Sequence, residues 1–139
     1  MSDDAMETIV DGLEPIALII RADYDAEGLH FFTPGSFSQQ VAYMRHPKGK
    51  VIEPHVHNLM ARQILHTQEV LLVRTGAVEV SLFSSSRQFL TSRTLTAGDL
   101  ILLCGGGHSF KMLEETSMIE IKQGPYAGDN DKTRFEGQQ

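Results

Sequence analysis

The chain has 139 residues, six histidines, one cysteine and a formal net charge of -6. A chain of this length suits one domain that buries about 70% of its unfolded surface, and its scattered acidic residues exclude a basic face able to follow a phosphate backbone or an anionic membrane. The lone Cys104 excludes an internal disulfide, and the longest apolar stretch, Pro15–Ile20, is far shorter than the roughly 20 residues of a membrane-spanning helix.

The start, MSDDAMET, is polar and acidic. It lacks the basic and apolar regions of a signal peptide, so a cytoplasmic protein is expected. From there glycine, proline and Asn/Asp clusters cut the chain into short pieces rich in Val, Ile, Leu, Phe and Thr, the pattern of an all-β fold. Strands are predicted near Ile16–Ala22, Leu29–Thr33, Gln39–Arg45, Lys50–His57, Thr67–Arg74, Ala77–Ser84, Gln88–Leu95, Asp99–Leu103, His108–Leu113 and Met118–Gln123. RTGAVEV and FSSSRQF read as hairpin connections, and LTAGDLILL as a glycine turn entering a strand. The one helical hint is NLMARQILH, where Leu59, Met60, Ile64 and Leu65 form an apolar stripe. The tail after Tyr126 is polar and is expected to lie over the surface or be partly disordered.

Strand alternation sets His55 and His57 on one face with Val51 and Glu53. In the strand after the helical hint, Arg74 marks the outward set, so Glu69 faces inward; in GGGHSFKM, His108 and Phe110 share a side with Met112, opposite Ser109 and Lys111. Three histidines and a carboxylate can thus converge. Imidazole and carboxylate ligands suit zinc, manganese, iron, nickel or cobalt, and four protein ligands leave positions open for a substrate. Gly105–Gly107 read as a tight turn that delivers His108, and Cys104 as a small apolar filler. In MIEIKQGPY, Ile119 and Ile121 are expected toward the core, with Glu120 and Lys122 outside; the opposite phase would make Glu120 and Lys122 substrate contacts. Arg62 is placed to reach over the mouth of the site toward an anionic group, and of Tyr43 and Gln40, on opposite phases of one strand, at most one lines the cavity.

At these residues the chain resembles the cupin superfamily. Its first motif has a glycine, five residues, His-x-His, three or four residues, a glutamate, six residues and a glycine; Gly49, His55, His57, Glu69 and Gly76 match it, with the eleven residues Asn58–Gln68 in place of the shorter gap. GDLILLCGGGH, from Gly98 to His108, is similar to the second motif but one residue shorter and without its proline. The resemblance implies a double-stranded β-helix, a jelly-roll β-barrel spanning about residues 39–123, with N-terminal strands at about 16–33 and a polar tail at 127–139. It implies one divalent transition metal held by His55, His57, Glu69 and His108, and a homodimer. His66 competes with Glu69 for the fourth ligand position, and either is a candidate to move a proton.

The expected partner is a small polar molecule, sugar-like or organic-acid-like, met by Arg62, Tyr43, Phe110 and Lys122. Isomerase, epimerase, lyase and dioxygenase chemistry all occur on this scaffold, so the fold does not choose among them or decide whether the protein is an enzyme. A binding or sensing barrel without turnover is the alternative, and a purely structural barrel a third possibility.

Overall fold

A computed structural model describes residues 5–137. It is all-β: ten strands, joined by turns, form three antiparallel sheets, and a short 3-10 turn lies at Gly128–Asp131. The strands are β1 (Met6–Asp11), β2 (Glu14–Ile20), β3 (Gly28–Phe31), β4 (Ala42–Arg45), β5 (Glu69–Thr75), β6 (Ala77–Phe83), β7 (Phe89–Thr96), β8 (Leu100–Leu103), β9 (Gly107–Met112) and β10 (Ser117–Lys122). A five-stranded sheet runs β1-β2-β8-β5-β10, a three-stranded sheet β7-β6-β9, and β3 and β4 pair only with each other. None of the three sheets closes into a barrel. No helix among the described residues is long and apolar enough to cross a membrane.

The core follows from alternation. Ile16, Ala17 and Ile19 of β2, Leu71 and Val73 of β5, Val78, Val80 and Leu82 of β6 and Ile101 of β8 are buried in one cluster between the two larger sheets. The five-stranded sheet is covered on its other face too: Leu18, Val70 and Leu102 pack there with Phe32, Phe37 and Val41 from the chain between β3 and β4. Strands buried on both faces read as near-continuous apolar runs, which is why β2 and β8 stand out so clearly in the sequence.

Two side-chain pairings tie the large sheets across the core. Arg93 of β7 donates through Nε and Nη2 to the two carboxylate oxygens of Glu7 on β1, at 2.9 and 2.8 Å, and His108 of β9 meets Glu69 of β5. The turn into β8 is locked by Asp99. Its carboxylate, buried, accepts from the backbone N–H of Ala22 at 2.8 Å, from that of Thr96 at 2.8 Å and from Arg21 Nη1 at 3.1 Å. Gly98 precedes it at φ 90°, where a Cβ would stand 2.7 Å from the Ala22 methyl, so only glycine fits the turn.

Two expectations need correcting. Lys50–His57 forms no strand: residues 51–66 have no ladder partner and are exposed throughout. Strand-forming composition is a preference for a pleated, half-covered setting, and this segment has no neighbour to supply one. NLMARQILH forms no helix for a related reason, since a short amphipathic segment gains little until its apolar stripe is packed. The tail lies over the surface, where the Phe135 ring stands edge-on to buried Phe83 at 5.2 Å, with the Arg87 guanidinium 5.7 Å from the Phe135 centroid. Strand β1 was not anticipated.

Asp99→Ala leaves two backbone donors and Arg21 without their acceptor. We expect a loss of about 2–4 kcal/mol in urea unfolding at neutral pH, with Asp99→Asn losing less because it keeps one acceptor oxygen.

Candidate functional site

Glu69 opens β5 and stands opposite Leu103 on one side and Lys122 of β10 on the other. His108 is the second residue of β9, set by the Gly105–Gly107 turn, whose backbone passes so close to Pro15 and Phe83 that a side chain at Gly105 or Gly106 would strike their carbonyl oxygens. The two elements bring His108 Nε2 to 2.8 Å from Glu69 Oε1. The Glu69 side chain is only 12% exposed and that of His108 30%. Beside the pair lies a cavity of about 840 Å³ that Phe110, Glu120, Lys122 and Asp131 also line, with Lys132–Phe135 of the tail as its outer wall.

Strand β10 supplies more of this site than its hydrophobic pattern suggests. Ile119 and Ile121, expected inward, are 43% and 55% exposed, while Met118 packs on the core and Glu120 and Lys122 lie on the same phase as Met118. The reason is the position of β10 at a sheet edge beside a polar cavity: the face toward the other sheet carries the polar residues, and the isoleucines face out. The Lys122 ammonium reaches Asp131 Oδ2 at 3.0 Å, and Asp131 also accepts from Thr67 Oγ1 at 2.6 Å, which ties β10, the tail and the start of β5 together at the cavity rim.

The electrostatics divide the two glutamates. The hydrogen bond from His108, reinforced by one from Glu120, holds the Glu69 carboxyl down at about 2 despite its burial. The Glu120 carboxyl is pushed up, first by its hydrogen bond to Glu69 and then by burial. Of this carboxyl pair Glu69 thus ionises first and Glu120 later, an order set by their hydrogen bonds and burial.

Most of the remaining candidate residues lie elsewhere. His55 and His57 stand on the exposed segment, their ring centroids 5.4 Å apart, with His55 Nδ1 2.8 Å from the Glu53 carbonyl oxygen. Arg62 is exposed on the same segment. His66 lines a neighbouring cavity of about 880 Å³ with Phe37 and Cys104; that cavity meets the first at Thr67, Gly106 and Asp131 but includes neither Glu69 nor His108. Burial pushes the Cys104 thiol up to about 11, in keeping with a packing role. Tyr43 donates its hydroxyl to Asp25 Oδ1 at 3.1 Å and packs edge-on against Tyr24, within the β3–β4 region. Phe110 and Lys122 are at the cavity, the Phe110 ring 5.3 Å from that of His108. Thr67, Asp131 and the tail were not anticipated, because their contribution depends on where the tail lies and not on local pattern.

Within one chain these residues do not make the four-ligand set: among the described residues no group of three or more His, Cys, Asp or Glu side chains is gathered as a metal site. Glu69 and His108 are together, and His55 and His57 are apart from them. Comparison of the chain with protein-family models, with curated proteins and with solved structures gave no match.

The shifts fix a pH dependence. Because Glu69 titrates lower in the fold than in the unfolded chain, its stabilisation is complete above the ordinary carboxylate range and is lost as pH falls toward about 2. Glu120, shifted upward, has the opposite sign and favours the fold more at acid pH. Carboxyl ¹³C titration should show one glutamate ionised well into the acid range and a partner titrating above its usual value, and His108→Ala should bring the first back up.

Proposed function

We propose that the protein is a mononuclear, divalent-metal-dependent domain of the cupin jelly-roll kind that binds, and as an enzyme transforms, a small polar molecule at the Glu69–His108 pair. The observation that carries this reading is the 2.8 Å meeting of Glu69 and His108, residues far apart in the chain, at the wall of a polar cavity. They are two of the four residues that the motif resemblance assigns to the metal. The other two, His55 and His57, complete the set when the segment bearing them is brought over the cavity. Zinc, manganese, iron, nickel and cobalt all accept such a donor set.

The cavity itself favours a sugar-like or organic-acid-like partner. Lys122 supplies a cation for an anionic group, Glu120 a carboxyl whose ionisation is opposed by neighbouring Glu69, and Phe110 an apolar wall. Proton movement during an isomerisation, epimerisation or elimination falls to the Glu69–Glu120 pair, with His66 at the adjoining cavity as the other candidate. A dioxygenase would use the same polar wall to orient its substrate. The alternative, a binding or sensing domain without turnover, is favoured by one observation: Glu69, His108 and Glu120 already satisfy one another by hydrogen bonds, as a preformed ligand cradle would.

Elemental analysis of protein without a histidine tag tests the reading. We expect near-stoichiometric transition metal in the native chain and a loss of at least tenfold in metal affinity for Glu69→Gln and for His108→Ala. A native chain that stays metal-free after incubation with each of the five ions would leave the binding cradle as the better account.

A further inference from the structure

The cavity lined by His66 has no part in the chemistry of the Glu69–His108 pair beyond that one histidine, yet at about 880 Å³ it is as large as the cavity beside the pair. It is walled by the end of the segment before β5, the loop before β4, the turn after β8 and the tail.

This cavity has little charge to offer. No lysine or arginine lines it among the described residues, and its two carboxylates are engaged, Glu14 with the Ser85 hydroxyl and Asp131 with Thr67 and Lys122. Four neutral polar side chains, Ser36, Ser38, Gln63 and Asn130, line it without a hydrogen bond to any other described residue. Serine hydroxyls and side-chain amides both donate and accept, so they match the hydroxyl groups of an uncharged ligand and give an anion no counter-charge. Phe37, Ile64 and Leu65 add apolar surface on which the C–H face of a ring can rest. The cavity beside the pair is the reverse, with Glu69, Glu120, Lys122, Lys132 and Arg134 at its wall.

The two cavities meet, sharing Thr67, Gly106 and Asp131. Thr67 and Asp131 hold each other at this boundary by a 2.6 Å hydrogen bond. Gly106 puts no side chain there, and a Cβ at that position would strike the Phe83 carbonyl oxygen. Each cavity is near the upper end of the roughly 300–1,000 Å³ of a single small-ligand pocket, so one compact molecule does not fill both.

We propose that the ligand has two linked units, an anionic one beside Glu69–His108 and an uncharged polyhydroxylated one, a hexose-like ring, in the His66 cavity. The inference rests on the small-polar-molecule reading of the pair above, and adds a second subsite and the class of ligand that spans both.

Aldobionates, in which a hexose is joined to a sugar acid, are probes of this form. Calorimetry compares cellobionate, maltobionate and lactobionate with gluconate, which carries only the anionic unit, and with methyl glucoside and methyl galactoside, which carry only the neutral one. At least one aldobionate should bind about tenfold more tightly than any one-unit compound, and Gln63→Ala/Asn130→Ala, at exposed positions, should remove about that gain while changing gluconate affinity by less than about twofold. Cys104, the only cysteine, reports where the second unit sits, because it lines the neutral cavity and not the charged one. The aldobionate should slow its reaction with Ellman's reagent, and gluconate should not. One-unit compounds that bind with no gain for any aldobionate overturn the two-unit ligand and leave the reading of the pair standing. So does a gain that survives Gln63→Ala/Asn130→Ala or leaves Cys104 as reactive as before. A chain that binds none of these compounds overturns the inference, and if it is also free of transition metal the reading of the pair falls with it.

Discussion

The register of β5 is the constraint on which the site depends. Its first residue, Glu69, is fixed between Leu103 of β8 and Lys122 of β10, and the residues after it alternate between two apolar clusters, Leu71 and Val73 toward one, Val70 toward the other. A slip by one residue would turn Glu69 away from the three-stranded sheet and expose the core set at the same time. Burial on both faces therefore holds a carboxylate in place that would otherwise be costly to position. The long segment before β5 can vary in path without disturbing this, because the register is set by the strand's own neighbours.

Much of the fold was legible from the sequence. Strands β5 through β9 have alternating or continuous apolar runs bounded by glycine or polar turns, and the inward phases of Glu69, His108 and Phe110 followed from the charged residues opposite them. Strand β1 escaped because METIVD mixes acidic and apolar residues, and Glu7 becomes intelligible only once Arg93 of β7 is beside it. The phase of β10 was misread for an instructive reason. A β-branched pair such as Ile119 and Ile121 points to the core only when the strand's inner face is apolar, and here that face borders a polar cavity. Lys50–His57 was misread as a strand because composition reports a capacity for pairing and not the presence of a partner.

The division of labour between the two glutamates is also a product of position. Both are carboxylates within one hydrogen-bonded group, but Glu69 is closer to the imidazole and more enclosed, and Glu120 lies on an edge strand where the second charge would be repelled by the first. Lys122, its ammonium bonded to Asp131, also favours the ionised form of both glutamates through its charge. One wall of the cavity thus sets a cation beside two carboxyls that ionise in turn.

The glycine turn before His108 divides the site into parts with different freedom to evolve. Gly105 and Gly106 run against the carbonyl oxygens of Pro15 and Phe83, so substitution there displaces two core strands as well as the histidine. The cavity is also lined by Lys132, Thr133 and Arg134, residues of a tail held by Asp131 on one side and by the Phe135 ring against Phe83 on the other. Drift at those three positions would change what the cavity accepts while the histidine stays where the turn holds it. In a lineage of such proteins, the tail side of the cavity would vary more freely than the turn that sets His108 beside Glu69.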